Sequence, residues 1–323
     1  MIEVAQVDDV ESRIVTFDEA QEVLACLPNS HPKLDVWHNW AQVQFKDETW
    51  LAELIEIVSI CYARMAIRNG SLSARPREYH NERHINELLL RLVRCTQSQH
   101  STHLSLAGLA ILSVFSASHD LRQAEPSKGQ DDDSLVGANE TASYIEIERL
   151  INQYPESTLW NSHRLMLLMT MIHASTFGTA GKRSTNFFQG NLSRRLLAQL
   201  RFTEQDEELV YLACDIDTAN VSLPLNKYVK SAIKVYDELV SQQNAQIPPQ
   251  NFFSQAQMAY FFDQQHFHSK TARAIFQPEK SNNAKRITAI SQAIKDMDEK
   301  SSIEAVKTEF ISQAQTLSQS PPQ

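Results

Sequence analysis

Glycine is scarce, with 7 in 323 residues, about 2% against a usual ~7%. Parallel α/β folds use glycine in tight turns and phosphate loops, and all-β folds use it in hairpins, so both classes lose weight. Cysteine is sparse too. Cys26, Cys61, Cys95 and Cys214 are far apart, each in a helix-like stretch, and no CxxC occurs. That pattern predicts reduced, mostly buried thiols in a cytoplasmic protein rather than a disulfide framework or a zinc site. Positive charge is outnumbered, 30 Lys and Arg against 39 Asp and Glu, for a net charge of -9. A nucleic-acid polymer is therefore not an expected partner, because binding one needs a basic surface to displace counterions. Long apolar runs are missing. The longest mostly apolar run, Leu104 to Phe115, is interrupted by Ser105 and Ser113 and is too short to cross a bilayer, so no membrane association is expected. The start, MIEVAQVDDVESR, is acidic with no apolar centre and does not read as a signal peptide. What remains is an ordinary globular composition, 42% hydrophobic and 21% charged, long enough for one large domain or two smaller ones.

The hydrophobic spacing is helical nearly throughout, and strand-like alternation is almost absent. Thr16 followed by Glu19 predicts a capping box opening a helix through Leu27. A long helix is expected over 47–69, with Gly70 as its C-terminal stop. Others are expected over 79–96 and 104–118, the latter apolar around most of its circumference and so buried. Residues 122–138 hold Pro126, Gly129, Asp131-Asp132-Asp133 and Gly137, which reads as a mobile loop. Helical spacing resumes over 139–153, 159–175, 192–200, 203–217, 227–243 and 252–275. Thr203 with Asp206 suggests another capped start. Beyond Pro278 the chain is polar, with helices near 284–297 and 303–317 and a frayed end. The expected class is all-α, with residues 1–33 as an N-terminal extension, 34–276 as the main domain and 277–323 as a polar helical C-terminal extension.

Three short segments can carry chemistry. The first is Tyr79-His80-Asn81-Glu82-Arg83-His84. On a helix, His80 and His84 share a face one turn apart, with Glu82 and Arg83 as solvated flank. Two imidazoles so placed can share a metal, or one can ligate while the other handles protons, although paired surface histidines are common. The second is His119-Asp120, closing the buried helix over 104–118. The third is Asp215-Ile216-Asp217-Thr218-Ala219-Asn220, ending an apolar helix. A carboxylate emerging there must be paired, hydrogen-bonded or metal-bound, or it simply caps a turn. An imidazole and carboxylate set with remaining water positions suits Mn, Fe, Zn or Mg.

Taken together the order is H…HD…D, each element on or ending a helix, with YHNxxH first. This order resembles the HD superfamily of metal-dependent phosphohydrolases, and most of all its cyclic-nucleotide phosphodiesterase branch, over roughly 79–220. The resemblance implies an HD-domain, phosphodiesterase-like helical bundle holding two divalent metal ions. His84, His119, Asp120 and Asp217 would bind the first ion, Asp217 being preferred to Asp215 because Asp217-Thr218-Ala219-Asn220 has the family's spacing. Asp120 would bridge to the second ion, and His80 would be the general acid. Glu140 and Asn81 would act from behind the ligands, Glu140 by ordering metal-bound water. The implied reaction is hydrolysis of a phosphoric ester, a 3′,5′-cyclic nucleotide or related phosphodiester above all, by a metal-activated hydroxide.

The chain also departs from that branch. Gln123 stands where the family has a further histidine after the HD pair, which bears on the second ion. His173 is either an outer residue of the site or an ordinary core histidine. Gln257, followed at the family's spacing by Tyr260, would meet a purine base, or else belongs to a Phe/Met stripe of the core. Gly181-Lys182-Arg183-Ser184 reads as a solvated loop. Two alternatives stay open: an HD-type nucleotide phosphomonoesterase, and a non-catalytic helical domain that binds a nucleotide or a partner. The oligomeric state is not readable.

Overall fold

Local capping chemistry sets the first helices. Thr16 Oγ1 accepts from the Glu19 amide, and the Glu19 carboxylate accepts from the Thr16 amide at 2.8 Å, so the expected capping box is formed. The computed structural model describes residues 5–28, 34–97, 103–123, 137–179, 189–243 and 246–319. The aspartate run 131–133 and the basic segment 181–184 lie outside the described residues, as does most of the loop expected over 122–138. The fold is all-α. The strands among the described residues are β1 (Phe177–Thr179) and β2 (Gln189–Asn191), an antiparallel pair with Gly178 opposite Gly190. The chain divides into two compact units, Met1–Asp217 and Thr218–Gln323. That division falls where the last helix of the first unit ends, and not at the expected boundaries near 33 and 276.

The first unit contains α1 (Asp9–Arg13), α2 (Phe17–Ala25), α3 (Asp35–Gln44), α4 (Leu51–Arg68), α5 (Glu82–Thr96) and α6 (Leu106–Ser118). It continues with α7 (Ala138–Ile151), α8 (Ser162–Ala174), α9 (Ser193–Leu197) and α10 (Glu204–Asp217). Helix α6 is its hub. Every residue from Gly108 to Ser118 is buried, and α6 packs against α4, α5, α7, α8 and α10. Ser113 Oγ accepts from Trp37 Nε1 at 3.1 Å, which ties α3 to this hub. A side chain at Gly108 would collide with Leu209 of α10, its Cβ falling 2.8 Å from a Leu209 methyl. The helix expected to close on an active pair is therefore the one most completely enclosed.

The residues expected to form an N-terminal extension are packed into this unit through charge. Arg64 on α4 is 1% exposed and Glu146 on α7 is 0% exposed. Their 3.1 Å ion pair is completed by Arg64 Nε donating to the Ile14 carbonyl. Arg68 adds a pair to Asp8 at 2.8 Å, and Arg149 one to Glu11 at 2.6 Å. Breaking such a buried pair leaves an uncompensated charge and costs about 3–5 kcal/mol, even where the intact pair contributes little net stability.

The second unit contains α11 (Leu225–Gln243), the short turn α12 (Pro249–Asn251), α13 (Lys270–Ile275), α14 (Gln277–Lys295) and α15 (Ile303–Gln319). The polar C-terminal stretch carries narrow apolar stripes: Ile287, Ile290 and Ile294 on α14, and Val306, Phe310 and Ala314 on α15, all buried. Helix α15 packs on α11 and α14, and its Phe310 joins an aromatic cluster with Tyr236, Phe252 and Phe253. The helix expected over 252–275 is not continuous. Residues Phe252–Ala256 and Ala259–Gln264 are wound as π-helix, the backbone is extended at Gln265, and Ser269 caps α13 by accepting from the Ala272 amide. No described helix is long and apolar enough to cross a membrane. Cys61, Cys95 and Cys214 are buried and Cys26 is exposed. Burial pushes the Cys61 and Cys95 thiols up to about 12, which removes them as nucleophiles.

Candidate metal centre

Three segment ends build the site. The first is the start of α5. Asn81 is extended (φ -144°) and its Oδ1 accepts from the Arg83 amide, while its Nδ2 donates to the Arg77 carbonyl at 2.7 Å. This cap starts the helix at Glu82, not at Tyr79. His80 therefore lies before α5 and does not share its face with His84. Asn81 holds the helix entry, behind His84. Glu82, expected to be solvated, is wholly buried and accepts from Ser71 Oγ at 2.5 Å and from the Ser71 amide at 3.2 Å.

Gly70 makes that burial possible. Its value is not as a left-handed helix stop, since it has no positive φ. A Cβ on Gly70 would lie 1.5 Å from Glu82 Oε2. Gly70→Ala should expel the Glu82 carboxylate from its site and destabilise the first unit by ~1–3 kcal/mol, the range for overpacking. Urea unfolding of the two proteins would measure it, and an unchanged midpoint would contradict this role.

The second segment is the end of α6. His119 caps the helix and its ring stacks on Phe115 one turn back, centroids 4.9 Å apart. The turn that follows is pinned at each residue. Arg68 Nη1 donates to the Leu121 carbonyl at 2.8 Å, the Arg122 amide to Ser143 Oγ at 3.0 Å, and Arg77 Nη2 to the Gln123 carbonyl at 2.7 Å. Gln123 Nε2 donates to Asp120 Oδ1 at 2.7 Å. The third segment is the end of α10. Arg91, two turns along α5 from His84, donates from Nη1 to the Ile216 and Asp217 carbonyls at 2.7 and 2.8 Å. A cation on the last carbonyls of a helix satisfies groups that have no partner within it.

These ends bring four side chains together. His84 Nε2 lies 3.1 Å from Asp217 Oδ1 and 3.7 Å from Asp120 Oδ2. His119 Nε2 lies 3.0 Å from Asp120 Oδ2 and 3.6 Å from Asp217 Oδ1. His84, His119 and Asp120 could hold a metal ion, their ligand atoms lying within 4.8 Å of one another. Ligands at ~2.1 Å from one ion sit about 3.0 Å apart when adjacent in an octahedron, so these separations suit a common ion. His119 supplies a further test of fit. Its Nε2 is buried and has no hydrogen bond of good geometry among the described residues, although a carboxylate oxygen is 3.0 Å away. The imidazoles are 2% exposed, whereas the Asp120 and Asp217 side chains are 13% and 18% exposed. One side of the cluster is therefore open to solvent.

The electrostatics agree with a cation site. Burial alone would raise the Asp217 carboxyl, but the adjacent His119 and His84 rings, the latter hydrogen-bonded at 3.1 Å, outweigh it and hold Asp217 far below the usual carboxylate range. Asp120 is likewise held down against its burial, by His119, His80 and His84. Burial would lower His119, yet the charges of Asp120 and Asp217 carry it well above its usual 6.5. The two carboxylates therefore favour a proton on His119 when no ion is bound. An ion must displace that proton, because a ligating imidazole is neutral. Titration calorimetry of the metal-free chain should show proton release on metal binding, as an enthalpy that depends on the ionisation enthalpy of the buffer. Affinity should rise with pH up to the His119 value. A buffer-independent enthalpy would contradict the assignment.

The remaining candidates separate cleanly. His80 is half-buried beside the cluster, edge-on to Tyr79 at 4.9 Å and to His84 at 6.0 Å, and its charge helps hold Asp120 down. Glu140, in the first turn of α7, is raised by burial and by the negative charge of Asp120, so it is near that carboxylate without being in the cluster. His173 is lowered by burial alone and packs against the Tyr144 ring, centroids 6.4 Å apart. Asp215 is fully buried on another face of α10, where its charge raises Cys95, Cys214 and Tyr211. Asp217, not Asp215, reaches the imidazoles. Gln257 belongs to the second unit, where it is buried and its Oε1 accepts from Tyr228 OH at 2.7 Å.

Sequence reasoning missed the three arginines. Arg91 had a signal, since it lies seven residues from His84 on the same face of α5. Arg68 and Arg77 had none, because the carbonyls of the 121–123 turn that they hold lie about fifty residues further along the chain. Neither a protein-family model nor a curated protein sequence matches the chain.

Proposed function

We propose that the protein is a divalent-metal-dependent hydrolase of phosphoric esters, an HD-superfamily enzyme most similar to the cyclic-nucleotide phosphodiesterases. The observation that carries this reading is the meeting of two imidazole Nε2 atoms with two carboxylates, from residues far apart in the chain, in the order H…HD…D. His84, His119, Asp120 and Asp217 would hold the ion. When bound, such an ion stabilises charge on a phosphoryl oxygen and brings a water's pKa toward neutrality.

The chain's own residues supply the rest. His80 stands beside the ligands without being one, and it is open enough to meet a leaving oxygen. Protonated, it can hand its proton to a departing alkoxide, which would otherwise leave as a strong base. Glu140, kept toward its neutral form by burial and by Asp120, can hold a hydrogen bond to a water at the cluster. Arg91, Arg68 and Arg77 position the segment ends that bear Asp217 and Asp120.

The deciding experiment is a substrate panel on metal-loaded protein: 3′,5′-cyclic AMP, cyclic GMP, a generic phosphodiester and a set of nucleotide monophosphates. Opening of a cyclic nucleotide that stops on chelation supports the reading. Turnover of monoesters alone would replace it with a nucleotide phosphomonoesterase. No turnover of any ester by metal-loaded protein would leave a helical binding domain.

A further inference from the structure

We infer that the centre holds a single divalent ion and that Gln123 is the residue that keeps a second one out. The inference rests on the metal-centre reading above and departs from the two-ion arrangement that the resemblance implies. A bridging carboxylate gives one oxygen to each ion. Here the two oxygens of Asp120 are already divided: Oδ2 faces His119 and His84 at 3.0 and 3.7 Å, while Oδ1 accepts from Gln123 Nε2 at 2.7 Å. A side-chain amide nitrogen is only a donor and cannot ligate a cation. It presents partial positive charge to the oxygen a second ion would need.

The same turn is held by Arg68 on the Leu121 carbonyl and Arg77 on the Gln123 carbonyl, which keeps Gln123 beside Asp120. Among the described residues, one cluster of His, Asp, Glu or Cys side chains is arranged to hold a metal. Gln123 also fixes the rotation of Asp120, so that Oδ2 is presented to the imidazoles. It is thus a positioning residue for the first ion and a block to the second. A one-ion centre stabilises one of the two oxygens that gain charge in a displacement at phosphorus. The other then depends on the proton of His80.

The test is metal stoichiometry, read without any assay of activity. Chelator-stripped protein is reloaded with excess Mn²⁺, desalted and analysed for metal per chain, with the electron paramagnetic resonance spectrum recorded alongside. One uncoupled Mn²⁺ per chain is expected. Two per chain, with the spectrum of a spin-coupled pair, would overturn the inference while leaving the centre in place. None would overturn the metal centre itself. Gln123→Ala frees Oδ1 and should raise the stoichiometry to two, and Gln123→Glu, which puts an anionic oxygen in place of the amide nitrogen, should do so more strongly. If both variants fold, by circular dichroism, and both still hold one ion, Gln123 is not the block.

Discussion

If the proposed metal-dependent hydrolase is right, Asp120→Ala is expected to lose bound metal and ester hydrolysis together while keeping its fold. Asp120 gives Oδ2 to the cluster and is one of its two negative charges. Residues that merely support a ligand typically change metal affinity by ~10–100-fold, so removing a ligand should cost about 100-fold or more. The variant should emerge from desalting without ion. The fold should survive because the imidazole of His119 is titratable. Deprived of the Asp120 charge that raises it, His119 can shed its proton and need not remain a bare buried cation. Metal analysis, circular dichroism and turnover on one preparation measure all three. An Asp120→Ala protein that retains stoichiometric ion would remove this residue from the centre.

His80→Ala is expected to do the opposite to the metal and nearly as much to the rate. His80 lies outside the four-residue cluster, with its ring centroid 6.0 Å from that of His84. Metal content should therefore be unchanged. Loss of a general acid costs typically ~10²–10⁴ in rate, about 3–5 kcal/mol of barrier. The loss should concentrate on esters with poor leaving groups, which need the proton, and be small for a nitrophenyl ester, whose leaving group departs as a stable anion. A uniform loss across both substrate types would point to a damaged site. Unchanged turnover of the poor-leaving-group esters would remove His80 from the proton step.

Much of this site was legible in the sequence, because the signals that carry it are local. Helix α6 stood out because it is apolar around its circumference, and a helix so buried must end near whatever its terminal polar pair does. The caps at Thr16 and Thr203 were readable from their acidic residues three positions on, and both are formed. The choice of Asp217 over Asp215 came only from the family spacing that the following residues resemble; in the fold Asp217 reaches the imidazoles, and two residues along a helix turn Asp215 to another face. What escaped depends on distant partners. Helix α3 has no side-chain cap and begins from Leu34 in the left-handed region at φ 65°, so nothing local announces it. Glu82 read as solvated because an acidic residue next to an arginine usually is. It is buried because Gly70, twelve residues earlier, leaves room for its carboxylate. The end of α10 depends on Arg91, whose acceptors are main-chain carbonyls.

The most direct test of the account is anomalous diffraction from crystals soaked in Mn²⁺, recorded on either side of the manganese absorption edge. A peak is expected at ligand distance from Nε2 of His84, Nε2 of His119 and the carboxylates of Asp120 and Asp217, and should disappear in Asp120→Ala. A fully soaked crystal with no peak at those four side chains, or with manganese bound only elsewhere, would contradict it.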